Sequence, residues 1–182
     1  MEKPAWHRRS STYIVDSPHL RLRVDELELP DGTVIPNYYV RESAGFVIVF
    51  ALTTEREVIL VRQYRYGADA IHLELPAGTI DEGEDPRDCA IRELAEETGY
   101  EAGDVQLIGS YRAEPARSTA FAYMYLATNA TRTRAPLLDP SEVIEVELEP
   151  LESFRQMLRD GRIDNGASIA TGYAALDRLE AL

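Results

Sequence analysis

Residues 78–100, GTIDEGEDPRDCAIRELAEETGY, prescribe one short helix with a marked start, a marked stop and two unlike faces. Asp85 before Pro86 supplies a side-chain acceptor at the N-cap and a pre-set φ at the first helical position, and Asp88 completes a capping-box-like pair. Gly99 ends the helix. At about 100° per residue, Ala90, Ile91, Leu94, Ala95 and Thr98 gather on one side, while Arg92, Glu93, Glu96 and Glu97 gather on the other. The apolar side needs a cover from elsewhere in the chain, so this helix is one layer of a larger packed domain.

The acidic side makes a chemical demand. Glu93 and Glu97 stand at i, i+4, and Glu96 and Glu97 oppose the macrodipole at the helix C-terminus; both arrangements destabilise a helix unless a positive charge is present. Arg92 is placed to pair with Glu96, and Glu84 can fold back toward the same cluster. A bound cation would relieve the rest. Hard carboxylate oxygens without clustered histidine or cysteine suit Mg²⁺ or Mn²⁺ rather than zinc, and Mg²⁺ held by a few carboxylates usually acts together with substrate phosphates.

The flanks read mainly as strands. Residues 20–29 and 34–41 are joined by Pro30-Asp31-Gly32, a hairpin signal, and the apolar phase shifts near Asp25-Glu26, which predicts a bulge. Pro36 confines the second of these strands to an edge or an irregular end. Strands follow at 45–53, 58–64 and 71–75; after the helix come strands near 104–112, 119–128 and 142–149 and helices near 151–159 and 166–181. This mixture is an α/β layered domain.

The chain of 182 residues is long enough for one domain, or one domain with a small appendage. Its net charge is −13, and six of those charges fall within residues 81–97. Binding of long nucleic acid calls for lysine and arginine stripes, so this balance argues against it while leaving a small metal-bridged phosphate ester compatible. Cys89 is the only cysteine, which excludes an intrachain disulfide and suits a reducing, cytoplasmic setting. No apolar run approaches a membrane span.

The order glycine, five residues, glutamate, seven residues, then Arg-Glu-apolar-x-Glu-Glu-x-Gly resembles the signature of the Nudix hydrolases, met here by Gly78, Glu84, Arg92, Glu93, Glu96, Glu97 and Gly99, with Leu94 in the first apolar slot and Tyr100 in the last. LVRQYR at 60–65, LELPAG at 73–78, the preceding hairpin and Pro115, sixteen residues after Gly99, resemble the ADP-ribose pyrophosphatase branch. The resemblance implies a Nudix α/β/α sandwich with a mixed sheet over residues 43–182. It also implies a small N-terminal antiparallel β subdomain over residues 1–42 that serves as a dimerisation element, hence a homodimer. By the same resemblance Glu93, Glu97 and the Ala77 carbonyl are metal ligands, Glu96 binds metal or water, Arg92 orients the carboxylates, and Glu84 supports Arg92. Gly78 then admits the backbone close to metal and phosphate. Arg62 and Arg65, at the end of a strand, are candidates to pair with phosphate or stack on a base, as is Arg117 for phosphate. Tyr38 and Tyr39 are candidates to stack on a nucleobase.

One position departs from the branch. Where the family usually carries a catalytic glutamate five residues after the marker proline, this chain has Ala120. Glu114, Glu142 and Glu96 are the alternatives for the base. The implied activity is metal-dependent hydrolysis of the pyrophosphate bond in ADP-ribose or a related nucleoside diphosphate sugar, with a GDP- or UDP-sugar as the rival substrate and a catalytically silent ligand-sensing module as the rival class.

Overall fold

A computed structural model describes residues 5–140 and 142–181. In chain order the elements are β1 (His7–Ser17), β2 (Leu20–Glu28), β3 (Val34–Glu42), β4 (Phe46–Thr53), β5 (Glu57–Arg65), β6 (Ala70–Glu74), β7 (Ala77–Thr79), α1 (Pro86–Thr98), β8 (Tyr100–Glu101), β9 (Asp104–Arg112), β10 (Phe121–Arg132), β11 (Ile144–Pro150), α2 (Leu151–Asp160) and α3 (Gly166–Glu180). They form two units. One runs up to Ala44 and takes in Arg112–Phe121; the other comprises Gly45–Tyr111 and the chain from Ala122 onward.

The first unit is an antiparallel sheet in the order β1-β2-β3. The hairpin stands where Pro30-Asp31-Gly32 predicts it, and the register between β2 and β3 shifts between Asp25 and Leu27, the site of the expected bulge. β3, which carries Pro36, is an edge strand. β1 is a strand that sequence reading missed. Its side chains are exposed along almost the whole length, so no burial-driven alternation marks it. Residues 116–119 return to β3: the Arg41 N–H donates to the Arg117 carbonyl at 2.8 Å, the Thr119 N–H donates to the Arg41 carbonyl at 3.1 Å, and the Tyr38 hydroxyl donates to the Ala116 carbonyl.

The second unit is built on β4, whose alternation explains the layers. Val47, Val49 and Ala51 point to one face and join Cys89, Ala90 and Leu94 of α1. Ile48, Phe50 and Leu52 point to the other face and join Phe154, Met157 and Leu158 of α2 with Ala175 and Leu176 of α3. A strand buried on both faces reads as a continuous apolar run, as residues 46–53 do. The sheet runs β11-β5-β4-β10-β8, with β10 parallel to β4 and β11 antiparallel to β5; β6 pairs with β5, β7 with β4 and β9 with β10. This is the mixed-sheet α/β/α sandwich that was expected.

Three local readings need correction. The strand near 71–75 is followed by a separate short strand, β7, in which Gly78 pairs opposite Val47. Ile91 is 37% exposed, whereas Cys89 is fully buried, so the apolar face of α1 is rotated relative to the wheel drawn from sequence. The Asp85 side chain caps the helix by accepting from the Arg87 N–H at 2.8 Å, without a reciprocal bond from Asp88 among the described residues.

Candidate active site

Strand β7 lies beside α1, and the carboxylates of the helix meet the strand's backbone. Glu97 is 5% exposed although it belongs to the polar side of the wheel, because it sits at the border of the two faces and turns toward β7. There its Oε2 accepts from the Ala77 N–H at 3.0 Å. Burial pushes the Glu97 carboxyl up to about 8; the Ala77 bond opposes the shift, while the neighbouring Glu93 and Glu142 reinforce it. Glu93 is also shifted upward, chiefly by burial, with Arg92 pulling against it.

Gly78 faces Glu93. A Cβ added there would fall inside the Glu93 carboxylate, far closer than any real contact, so the carboxylate lies against the strand only because the side chain is absent. The opposite requirement governs Gly99, whose φ of +77° ends α1 in the left-handed region and whose N–H returns to the Ala95 carbonyl.

Arg92 organises the remaining acids. Its Nε and Nη2 donate to the two oxygens of Glu84 at 2.8 and 2.9 Å, Nη1 donates to Glu93 at 2.7 Å and to Glu96 at 3.0 Å, and Nη2 also reaches the Thr79 carbonyl at 3.2 Å. Every arm of the guanidinium is engaged, which makes it an orienting group rather than one free to meet a substrate. Arg92 beside Glu84 holds that carboxyl down to about 2. Burial pushes the Cys89 thiol up to about 12, so it is not a nucleophile.

These groups open on a cavity of about 440 Å³ lined by Gln63, Arg65, β7, Asp81, Arg92, Glu93, Glu97, Asp139 and Glu142. Glu142 therefore stands with the helix carboxylates, and the segment before β11 brings it there. Ala120, by contrast, is buried at 3% exposure in the other unit. Arg62 and Arg65 are separated. Odd spacing on one strand turns them to opposite faces of the sheet, and Arg62 pairs with Glu147 beside a different cavity of about 260 Å³ that includes Met157 and Arg162. Arg65 stays at the acidic cavity, gripped by Glu74 through Nε at 3.1 Å and Nη2 at 2.7 Å. Arg117 lies 4.7 Å over the Tyr38 ring within the N-terminal unit. Glu74, the partner that grips Arg65, was not singled out from the sequence, although it stands inside the quoted LELPAG segment; a charged residue between Leu73 and Leu75 was the available signal.

A divalent cation fits this donor set. Glu97 is a buried carboxylate whose hydrogen-bond partner is a neutral backbone N–H, and the pull of Arg65 is outweighed by burial and the neighbouring carboxylates, so its ionised form calls for a further positive charge. The donors are all hard oxygens. Among the described residues no three such side chains form a ready cage, and Arg92 occupies Glu93 and Glu96.

The sequence matches the model of the NUDIX domain over residues 43–170. The chain belongs to the Nudix family. Residues 6–40 of this Nudix chain also match the nucleoside diphosphate sugar hydrolase N-terminal domain. Among curated relatives, it is 35% identical over 159 residues to the methanol dehydrogenase activator of Bacillus methanolicus, covering 86% of this chain and 85% of that one. It is 32% identical over 157 residues to the ADP-ribose pyrophosphatase of Bacillus subtilis strain 168, covering 85% and 84%. Its fold superposes on a crystal structure of an ADP compounds hydrolase with a TM-score of 0.86 at 20% identity, covering all of this chain and 96% of the other. No helix among the described residues is long and apolar enough to cross a membrane.

The Glu97 shift has a consequence for stability. Its carboxyl sits above the ordinary value of 4.5, so the fold favours the protonated form. That contribution is fully present below pH 4.5 and is lost as pH rises through about 8. In metal-free buffer the melting temperature is expected to fall across this window. Millimolar Mg²⁺ should recover the loss at its alkaline end, since cation and proton compete for the same carboxylate. A scan of melting temperature against pH, with Mg²⁺ and with EDTA, checks both signs.

Proposed function

We propose that this chain is a hydrolase that uses Mg²⁺ or Mn²⁺ to split the pyrophosphate bond of ADP-ribose or a related nucleoside diphosphate sugar, releasing a nucleoside monophosphate and a sugar phosphate. The observation that carries this reading is the cavity in which the box residues Arg92, Glu93 and Glu97 converge with Arg65 and Glu142. The match of residues 6–40 and the pyrophosphatase relative support the substrate class. Glu93, Glu97, Glu96 and the Ala77 carbonyl would hold the cation, which when bound neutralises phosphate oxygens and acidifies a water. Arg92 fixes Glu93 and Glu96 and is itself fixed by Glu84. Arg65 meets a phosphate through the donor that Glu74 leaves free. Glu142, which lines the cavity among these carboxylates, accepts the proton of the attacking water in the role that Ala120 cannot take.

The N-terminal subdomain, residues 1–42, is proposed as a dimerisation element and residues 43–182 as the hydrolase domain. Tyr13, Ile14, Val15 and Leu20 are exposed on its sheet, apolar side chains that a second copy could cover. The lone cysteine suits a cytoplasmic setting.

A screen of ADP-ribose, GDP- and UDP-sugars, diadenosine polyphosphates, NADH and nucleoside triphosphates, with and without Mg²⁺, tests the function through phosphate released by a coupled phosphatase. Turnover of nucleoside diphosphate sugars in Mg²⁺ alone is the expected result, and inertness toward all of them would favour a sensing module. In Glu142→Gln, kcat should fall by about 10²- to 10⁴-fold while Mg²⁺ affinity stays within a few-fold. Undiminished turnover would remove Glu142 as the base.

A further inference from the structure

The acidic cavity has a neighbour. A second cavity of about 230 Å³ shares Arg65 and strand β7 with it and continues to Phe46, Glu74, Asn165 and Ala167. The two differ in charge. Carboxylates crowd the first, whereas the second holds only Glu74, which is 3% exposed and has both oxygens engaged by Arg65. A cation and the pyrophosphate belong to the first. In the second, the one carboxylate is matched by Arg65, so its lining calls for no charged occupant.

Its lining narrows the class. The Asn165 Oδ1 accepts from the N–H groups of Ala167 and Ser168 at 3.0 and 3.1 Å, which assigns the oxygen to the helix cap and leaves the Nδ2 donors without a hydrogen bond among the described residues. The same cap uses up amides at the start of α3, so that helix end does not call for an anion. Glu74 retains lone pairs that can accept from hydroxyl groups. Phe46 offers one apolar ring. The volume lies below the roughly 300 Å³ at which drug-sized pockets begin, a scale that suits one hydroxylated ring rather than a whole nucleoside.

We propose that this second cavity is the subsite for the sugar ring of the substrate: Asn165 donates to a ring hydroxyl, Glu74 accepts from another, Phe46 packs on the C–H face, and Arg65 at the join reaches the adjoining phosphate. The inference rests on reading the chain as a nucleoside diphosphate sugar hydrolase. Glu74 thereby acquires a double role, since the carboxylate that receives the sugar also aims Arg65 at the phosphate.

The test is product inhibition of ADP-ribose hydrolysis, measured separately with ribose 5-phosphate and with AMP. Asn165→Asp keeps the cap, because aspartate and asparagine cap equally well, and removes the donor. Ala167→Leu fills the space. In both variants the inhibition constant of ribose 5-phosphate should rise about tenfold or more, the scale of one lost hydrogen bond to a buried partner, while that of AMP stays within about twofold. Melting curves establish that each variant is folded, and if Ala167→Leu melts early, Asn165→Asp decides. An unchanged constant for ribose 5-phosphate, or a rise for AMP instead, overturns the subsite while leaving the hydrolase reading intact. Absence of turnover in the wild-type chain overturns both.

Discussion

Replacing Glu97 by glutamine is expected to lower kcat by about 10³-fold or more in saturating Mg²⁺, the scale of losing a principal electrostatic element of a site. The substitution isolates charge from shape. Glutamine has the same length, and its oxygen can still accept from the Ala77 N–H, so the strand-to-helix contact survives. What disappears is the box carboxylate that burial shifts up to about 8 and that, unlike Glu93, has no hydrogen bond from Arg92. The same logic predicts an opposite effect on stability. Metal-free Glu97→Gln should melt above the wild type near pH 8, because no buried carboxylate remains to be ionised there, and its melting temperature should no longer depend on Mg²⁺. Glu84→Gln should cost less activity than Glu97→Gln, since Glu84 acts through Arg92. Steady-state kinetics and thermal melts of the two variants decide the matter; turnover within a few-fold of wild type in Glu97→Gln would remove it as a metal ligand.

The second large effect is expected at Gly78→Ala, and it comes from space alone. Gly78 carries none of the positive φ values that mark the turn glycines, so alanine meets no backbone strain. Its new methyl group would instead occupy the position of the Glu93 carboxylate. Either Glu93 leaves its hydrogen bond to Arg92 or β7 draws away from its pairing with β4. A displacement of this kind near reacting groups costs on the order of 10²-fold in rate, and the loss should appear in kcat/KM together with a weaker Mg²⁺ requirement curve. Far-UV circular dichroism is expected to be unchanged, since Gly78 contributes no side chain to either core and the helices and long strands do not depend on it. Wild-type kinetics in Gly78→Ala would mean that Glu93 need not lie against the strand.

Local signals account for what could be read in advance. The cap at Asp85, the stop at Gly99 and the 3.6-residue repeat depend on neighbours within one or two turns, and the hairpin at Pro30-Asp31-Gly32 depends on four residues. The layered α/β class was legible from the mixture of strand and helix signals, whereas the α/β/α sandwich came from the resemblance of the box and its flanks to the Nudix family. β1 and β7 were not legible. β1 exposes both faces and carries no alternation, and β7 has three residues, too few for a period to show. The Arg92 network, too, follows from the fixed spacing of Glu84 in the loop before the helix and Arg92, Glu93 and Glu96 in its later turns.

By itself, then, the sequence determined the box helix, its acidic chemistry and the α/β class, because these rest on periodicity and short-range geometry, while the sandwich that covers the helix followed from the resemblance its motifs carry. Only the tertiary structure decided which residues outside the box share the site. It turned Arg65 toward the carboxylates and Arg62 away, brought Glu142 to the helix carboxylates, and placed Asn165 beside Glu74 across 91 residues of chain. The physical reason is that strand pairing sets side-chain direction by register and neighbourhood by topology, and neither is a property of any local stretch of chain.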